Sequence, residues 1–257
     1  MNILIAFLLT LFAGLATGLG GLLAFSKLAK SAKFFAASLG FSAGVMIYVS
    51  FMEIIPKGLV ALKDNFNNEL SEWIAVVGFF VGILFILVID QLIPKEQNPH
   101  EIKEPNHDHA LLRMGLFSAF AIALHNFPEG LATFYASLAD SRLGLGIAVA
   151  IALHNIPEGV AVALPIYQAT KNRKKAFNFA LFSGLAEPVG ALIGFLIFSS
   201  FLPTAIFGII FPFVAGIMVY ISLDELLPTA EKYGHHHLSM FGLIAGMGVM
   251  ALSLLIL

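Results

Sequence analysis

The chain has 257 residues, of which 59% are hydrophobic and 12% are charged, with a formal net charge of −2. Soluble domains are about 45–50% apolar and about 25% charged, so this composition has too little polar surface for a water-soluble globule. No basic patch indicates nucleic-acid binding, and the lack of cysteine excludes disulfides and thiolate metal sites. We therefore predict an integral protein of a lipid bilayer.

Apolar runs of about 20 residues predict eight transmembrane helices, because a helix of that length crosses the hydrocarbon core. The first run is expected to be a retained helix. It lacks the basic start of a signal peptide and exceeds the usual length of about 7–15 apolar residues. The predicted spans are 2–25, 34–55, 72–93, 114–137, 144–167, 176–201, 204–227 and 238–257. We expect a single transmembrane domain over 1–257, with a cytoplasmic His-containing loop at 94–113.

The positions of Lys and Arg predict the orientation, because short cytoplasmic loops carry an excess of these residues. With the N-terminus outside, eleven of the 14 Lys and Arg lie in cytoplasmic loops and three lie in outer loops. Both termini are therefore expected to be extracytoplasmic.

Pairs of segments resemble each other although the paired helices are predicted to cross the membrane in opposite directions. Residues 122–130 read IALHNFPEG and residues 151–159 read IALHNIPEG, which differ at one position. A second matching pair is 44–56 with 216–228, and a third, fainter pair is 15–25 with 185–195. Antiparallel matches are expected of an inverted-topology repeat. We predict an all-α membrane protein whose eight helices form a 3+2+3 inverted-repeat bundle.

The repeated His-Asn-x-Pro-Glu-Gly places three polar side chains on nearly one face of each helix. His and Glu are four residues apart and share a face, and Asn lies on an adjacent part of it. The candidate metal ligands are His125, Asn126 and Glu129 in the fourth helix, His154, Asn155 and Glu158 in the fifth, and Glu187 in the sixth.

The three glutamates would lie at similar depth, with no Lys or Arg in the interiors of their helices. Placing one charged side chain there costs at least about 2.5–3.5 kcal/mol, and three carboxylates also repel one another. Bound cations, protons or both must supply the compensating charge. Imidazole with oxygen ligands suits zinc, iron(II), cobalt, nickel or manganese, whereas calcium and magnesium sites normally use oxygen alone.

Prolines provide a second argument for an ion site. Pro128 and Pro157 lie inside their helices, where each removes a backbone donor and crowds the carbonyl four residues earlier, and Pro188 follows Glu187. Freed carbonyls are tolerated in a membrane where they face protein, water or an ion, and transporters commonly build ion sites at such interruptions.

Three further acids are expected to line the path of the ion. Glu53 and Glu225 occupy equivalent places in the second repeat pair, and Asp224 precedes Glu225. In the predicted topology Glu53 lies toward the outer side, and Asp224 and Glu225 lie toward the inner side. The alternative is that these acids cap or snorkel at helix ends. The loop histidines, including His235, His236 and His237, either chelate metal or are polar loop residues.

The sequences at 125–130 and 154–159, together with Glu187 and Pro188, resemble the ZIP family of zinc and iron transporters. The resemblance covers the whole chain and implies a binuclear site midway through the membrane. The first metal would be held by Glu129, His154 and Glu158, with His125 as a further ligand. The second would be held by Asn126, Glu129, Asn155, Glu158 and Glu187, so that Glu129 and Glu158 bridge.

The resemblance also implies the function and the location of the protein. Family members move divalent cations toward the cytoplasm, here through the inner (plasma) membrane. Zinc is the chief substrate, and iron, manganese, cobalt or cadmium are further ones. These ions are substrates, and no cofactor is expected. The expected partners are the divalent ions and the lipid bilayer, without nucleic acid, and a homodimer is compatible with this interpretation.

Two other functions use the same ligands. An intramembrane metal-dependent hydrolase would need an open coordination site and a general base, but the HExxH signature is absent because Asn follows each His. A channel-like pore could also use the site. Duplicated ligands fit a path through the membrane better than a one-sided pocket, which favours transport over hydrolysis.

Overall fold

The computed structural model describes residues 3–29, 31–92, 107–139, 141–198, 204–232 and 234–256. The described residues form eight helical rods and no strand. The rods are α1 (Ile3–Leu23), α2 (Ala32–Val49, Ser50–Ile54 and Ile55–Lys63), α3 (Asn68–Leu92), α4 (His107–Ala139), α5 (Ser141–Thr170), α6 (Arg173–Gly184 and Ala186–Phe198), α7 (Thr204–Ile221, Ser222–Leu226 and Leu227–Lys232) and α8 (His236–Ile256).

Each of the eight predicted spans coincides with one of these helices. Within the described residues, seven helices are long and apolar enough to cross a membrane. The remaining helix, α4, is 33 residues long and contains the same motif as α5, which is one of the seven. The prediction of an all-α protein with membrane-length helices is therefore confirmed, and the chain is a multi-pass membrane protein.

Three predicted boundaries are wrong by at least five residues. The second span is expected to end at 55, next to Pro56, but α2 continues to Lys63. The seventh is expected to end at 227, next to Pro228, but α7 continues to Lys232. The loop expected at 94–113 is shorter on its C-terminal side, because α4 already begins at His107 and no Gly or Pro interrupts 107–113. The rest of that loop, residues 94–106 with His100, lies outside the described residues.

A π-helical turn explains why α2 passes Pro56. Residues Ser50–Ile54 form this turn, and the Ile55 N–H bonds to the Ser50 carbonyl five residues back. The wider turn shifts the hydrogen-bond register just before the proline, so the missing donor does not end the helix. In α7 the π turn Ser222–Leu226 lies at the repeat-equivalent place, again directly before a proline.

The helices pack in two groups. In one group α2 packs against α8 and α3 packs against α7, while in the other α1 and α4 pack against α5 and α6. The groups meet mainly where α2 and α8 contact α5 and where α4 contacts α7. The helices that carry the repeated motif therefore belong to the group of α1, α4, α5 and α6.

Glycines allow the closest helix contacts in the first group. A Cβ atom added to Gly44 of α2 would overlap the carbonyl oxygen of Leu243 in α8. At the repeat-equivalent position in α7, a Cβ on Gly216 would overlap the carbonyl oxygen of Phe79 in α3. Small residues at helix crossings are how membrane helices bring their backbones together.

We expect Gly44→Ala to destabilise the protein, because the added methyl group must push α2 away from α8. Overpacking of this kind costs about 1–3 kcal/mol, which corresponds to roughly 2–10 °C in the midpoint of thermal unfolding of the detergent-solubilised protein. Gly248→Ala in α8 is the control, since nothing lies within 4 Å of its added Cβ. An unchanged midpoint for Gly44→Ala would contradict the close contact.

Candidate metal centre

The motif residues form a buried polar cluster inside the helix bundle. Helices α4 and α5 contribute three residues each to the cluster, and α6 contributes one. Each of these residues is 0% or 1% exposed to solvent. Its members are His125, Asn126, Glu129, His154, Asn155, Glu158 and Glu187.

Histidines and glutamates of the two motifs pair crosswise. The Nε2 atom of His125 lies 3.2 Å from Oε2 of Glu158, and Nε2 of His154 lies 3.4 Å from Oε1 of Glu129. Each histidine of one helix thus contacts the glutamate of the other helix. His154 Nε2 is also 3.9 Å from Oε1 of Glu158, one turn along its own helix.

The asparagine amides are oriented by backbone carbonyls of neighbouring helices. Asn126 donates from Nδ2 to the carbonyl of Ser183, at 3.1 Å, and Asn155 donates to the carbonyl of Ala13, at 2.8 Å. Asn155 also donates to Oε1 of Glu187. Because the nitrogen atoms are used in this way, each Oδ1 atom is free to act as a ligand.

The prolines and glycines of the motifs affect the course of the helices and how closely they approach one another. Helices α4 and α5 continue across Pro128 and Pro157, whereas α6 is interrupted at Leu185, just before Glu187. A Cβ atom on Gly130 would overlap the backbone of Glu187. The final glycine of the first motif therefore lets α4 approach the α6 segment that carries the third acid.

Buried polar atoms without a hydrogen-bond partner concentrate in this cluster. Among the described residues, eight such atoms belong to its members, including both carboxylate oxygens of Glu129, Oε2 of Glu187 and Oδ1 of both asparagines. Buried polar atoms are normally hydrogen-bonded, and unpaired buried carboxylate oxygens are costly. Acceptor atoms left over in this way are what a bound cation would satisfy.

The donors pair with one another instead of surrounding a common point. Among the described residues, no three His, Asp or Glu side chains have the arrangement of a formed metal site. A divalent ion would have to displace the crosswise histidine–glutamate pairs, since a histidine coordinates metal through a free nitrogen lone pair. The donor set of imidazole nitrogen and amide and carboxylate oxygen suits zinc and similar divalent metals.

Glu53 lies on a narrow cavity that leads to the cluster. The cavity has a volume of about 20 Å³, room for a single water molecule, and Glu53, Lys57, Glu129 and Met218 are among its lining residues. Lys57 Nζ lies 2.9 Å from Oε1 of Glu53. The residues that line the cavity therefore include both partners of an ion pair and a predicted ligand.

The other two predicted pathway acids lie in the π turn of α7. Asp224 and Glu225 are partly buried, and Glu225 is close enough to His125 to act on it electrostatically. Farther along, His236 contacts Glu231 at 2.9 Å, and both side chains are largely exposed. The loop histidines at 235–237 therefore lie apart from the buried cluster.

One contact of the cluster was not predicted from the sequence. The hydroxyl of Ser42 in α2 donates to Oε1 of Glu158, at 3.1 Å. A serine inside an apolar helix is common and belongs to no motif here, so no sequence signal distinguished it. The partner of Glu53, Lys57, was also not predicted, although its i,i+4 spacing could have indicated the pair.

We expect zinc to stabilise the purified protein and Glu129→Gln to remove this effect. Ligand at about 100 times its Kd adds about 2.7 kcal/mol, or roughly 5–10 °C in the unfolding midpoint. After treatment with a chelator, Glu129→Gln should itself melt higher than the wild type, because it leaves two mutually repelling buried carboxylates where the wild type has three.

Thermal unfolding with and without zinc checks both expectations. Glu72→Gln, at an exposed acid paired with Lys63, is the control and should keep the zinc shift of the wild type. A zinc shift of the same size in Glu129→Gln would exclude this carboxylate from the site.

Comparison with known proteins identifies the family. The model of the ZIP zinc transporter family matches residues 2–110 and 94–254. The zinc transporter ZupT of Lysinibacillus sphaericus is 57% identical over 266 residues, which cover 100% of this chain and 98% of that protein. The ZupT proteins of Chlorobium luteolum and Streptococcus mutans are 55% and 54% identical, covering 100% and 98% of this chain and 99% and 97% of their own lengths.

These matches are with transporters and not with enzymes, which decides against the hydrolase alternative. The family match also spans the segments that contain both motifs and Glu187. This chain belongs to the ZIP family of zinc transporters.

Proposed function

We propose that this chain carries zinc and related divalent cations across the membrane into the cytoplasm, through a binuclear site near the middle of the bilayer. The observation that supports this most is the buried cluster with its crosswise histidine–glutamate pairs and unpaired acceptor oxygens. The full-length identity to zinc transporters points the same way. We also propose that residues 1–257 form one transporter domain.

The ligands divide between two metal positions. Glu129, His154 and Glu158 would hold the first ion, with His125 as a further ligand. The second ion would be held by the amide oxygens of the two asparagines and by Glu187, with Glu129 and Glu158 bridging both ions. The bonds from the asparagine nitrogens to backbone carbonyls support this arrangement, because they leave the oxygens available.

Charge balance is compatible with two ions or with one ion plus protons. Three ionised carboxylates carry −3, so one divalent ion leaves −1 and two leave +1. A site in the hydrocarbon region favours the smallest net charge, and a proton taken up by a glutamate or histidine can neutralise the −1 that a single ion leaves. When metal leaves, the crosswise pairs would re-form and limit the cost of the buried carboxylates.

The helices would be arranged as a 3+2+3 inverted repeat. Two repeated contacts support this proposal. Ala13 and Ser183, which accept from the two motif asparagines, are 170 residues apart, the same offset as between 15–25 and 185–195. A Cβ on Gly159 would overlap the Thr17 carbonyl, as one on Gly130 would overlap that of Glu187, and these partners also differ by 170.

The distribution of basic residues supports an orientation with both termini outside the cytoplasm. In this orientation the ion would enter along the cavity between Glu53 and Glu129 and leave past Asp224 and Glu225. The two helix groups would move against each other to change access. The exposed apolar faces of α3 and α8 would contact lipid, and a homodimer would bury part of such a face.

We expect Glu129→Ala and Glu158→Ala each to reduce radiolabelled zinc uptake into proteoliposomes by at least about 100-fold, because each removes a bridging carboxylate. Glu72→Ala, at an exposed acid, should transport at the wild-type rate. Uptake with other divalent metals in the same vesicles gives the order of preference. Wild-type transport by both bridging variants would overturn the proposed function.

We expect Glu53→Gln to raise the KM for zinc severalfold and to weaken the dependence of uptake on ionic strength. The Glu53 carboxylate that lines the cavity attracts the cation, and salt screens this attraction. Glu72→Gln serves as the matched control. Unchanged kinetics at low salt would remove Glu53 from the pathway and leave it only its ion pair with Lys57.

A further inference from the structure

Ser42 of α2 is a buried residue that contacts the proposed metal centre from outside the motifs. Its side chain is 0% exposed, and its hydroxyl lies 3.1 Å from Oε1 of Glu158 and 3.4 Å from the carbonyl oxygen of His154. A hydroxyl has one proton to donate, so it bonds to one of these acceptors at a time. The shorter contact, to the carboxylate, is the stronger when that carboxylate is ionised.

The hydrogen bond joins the two helix groups. All seven proposed ligands lie on α4, α5 and α6, which pack together with α1, whereas Ser42 lies on α2, which packs against α8. One bridging ligand is thus held partly by a helix that supplies no ligand itself.

The position of the Ser42 hydroxyl determines which atoms the two carboxylate oxygens of Glu158 can contact. Oε2 lies 3.2 Å from Nε2 of His125, and Oε1 accepts from Ser42. Nε2 of His154 lies 3.9 Å from this Oε1 and 3.4 Å from Oε1 of Glu129, its crosswise partner. The serine therefore occupies the carboxylate oxygen that could otherwise turn toward His154.

We propose that Ser42 is a positioning residue for metal binding, which orients Glu158 and keeps its Oε1 atom from closing on Nε2 of His154. This inference depends on the proposed transport function of the site. Without the hydroxyl, Oε1 of Glu158 can close the 3.9 Å gap to His154, and an incoming ion must then break one more pair. The effect falls on the binding of zinc and not on the later steps of transport.

The test measures zinc uptake by the full chain in proteoliposomes, with KM and maximal rate determined separately. Ser42→Ala should raise KM about tenfold, as expected for the loss of one hydrogen bond to an ionised group, and should leave the maximal rate within about twofold. Ser42→Thr keeps the hydroxyl and should restore KM to within about twofold of the wild type. Calorimetric titration of the monodisperse protein with zinc should show the same order of affinities.

The matched control is Ser71→Ala in α3. Ser71 is also buried, but its hydroxyl donates to the carbonyl of Asn67, the residue before its own helix, at 2.8 Å. This variant should keep the wild-type KM. For a variant that gives little protein, the calorimetric titration is the deciding measurement, because it is made on folded, monodisperse protein alone.

Two results would overturn the role of Ser42. One is a wild-type KM and zinc affinity in Ser42→Ala. The other is a loss of maximal rate and thermal stability without a change in KM, which would indicate a packing role. Glu158→Ala, measured in parallel, separates these results from a failure of the proposed function: transport that persists in Glu158→Ala contradicts the metal site itself.

Discussion

Buried carboxylates without basic partners are the constraint on which the rest of this structure depends. Glu129, Glu158 and Glu187 are fully buried or nearly so, and no Lys or Arg lies within ten residues of any of them along the chain. The hydrocarbon region offers no water to solvate them, so protein groups and cations must do so. The crosswise pairs with His125 and His154 compensate these charges in part. The carboxylate oxygens of Glu129 and Glu187 that accept no hydrogen bond are available to a cation.

Much of the architecture could be predicted from the sequence because a bilayer restricts what a chain can do. Apolar runs of the right length indicated the helices, and all eight predicted spans coincide with helices of the structure. The candidate ligands could be predicted for a different reason: a six-residue motif that occurs twice, with His and Glu on one helix face, is unlike ordinary apolar sequence. The ligand roles themselves stay a proposal, which the buried cluster supports.

Contacts between helices could not be predicted from the sequence. The crossing of the pairs, with His125 on Glu158 and His154 on Glu129, depends on how α4 and α5 lie against each other. Ser42 reaches Glu158 across 116 positions of sequence, and nothing around it marks the contact. The length of an apolar run predicts an end at 55 and does not reveal the π turn that shifts the register before Pro56 and lets α2 continue.

The crosswise pairing also has a mechanical consequence. Because each histidine contacts the glutamate of the other helix, α4 and α5 cannot slide past each other without breaking both pairs inside a medium that offers no substitute partners. The asparagine bonds to Ser183 and Ala13 couple α6 and α1 to the same pair of helices. The contacts among these four helices thus hold them together as one rigid group. Relative motion is confined to the contacts at the edge of this group, among them the single hydroxyl of Ser42.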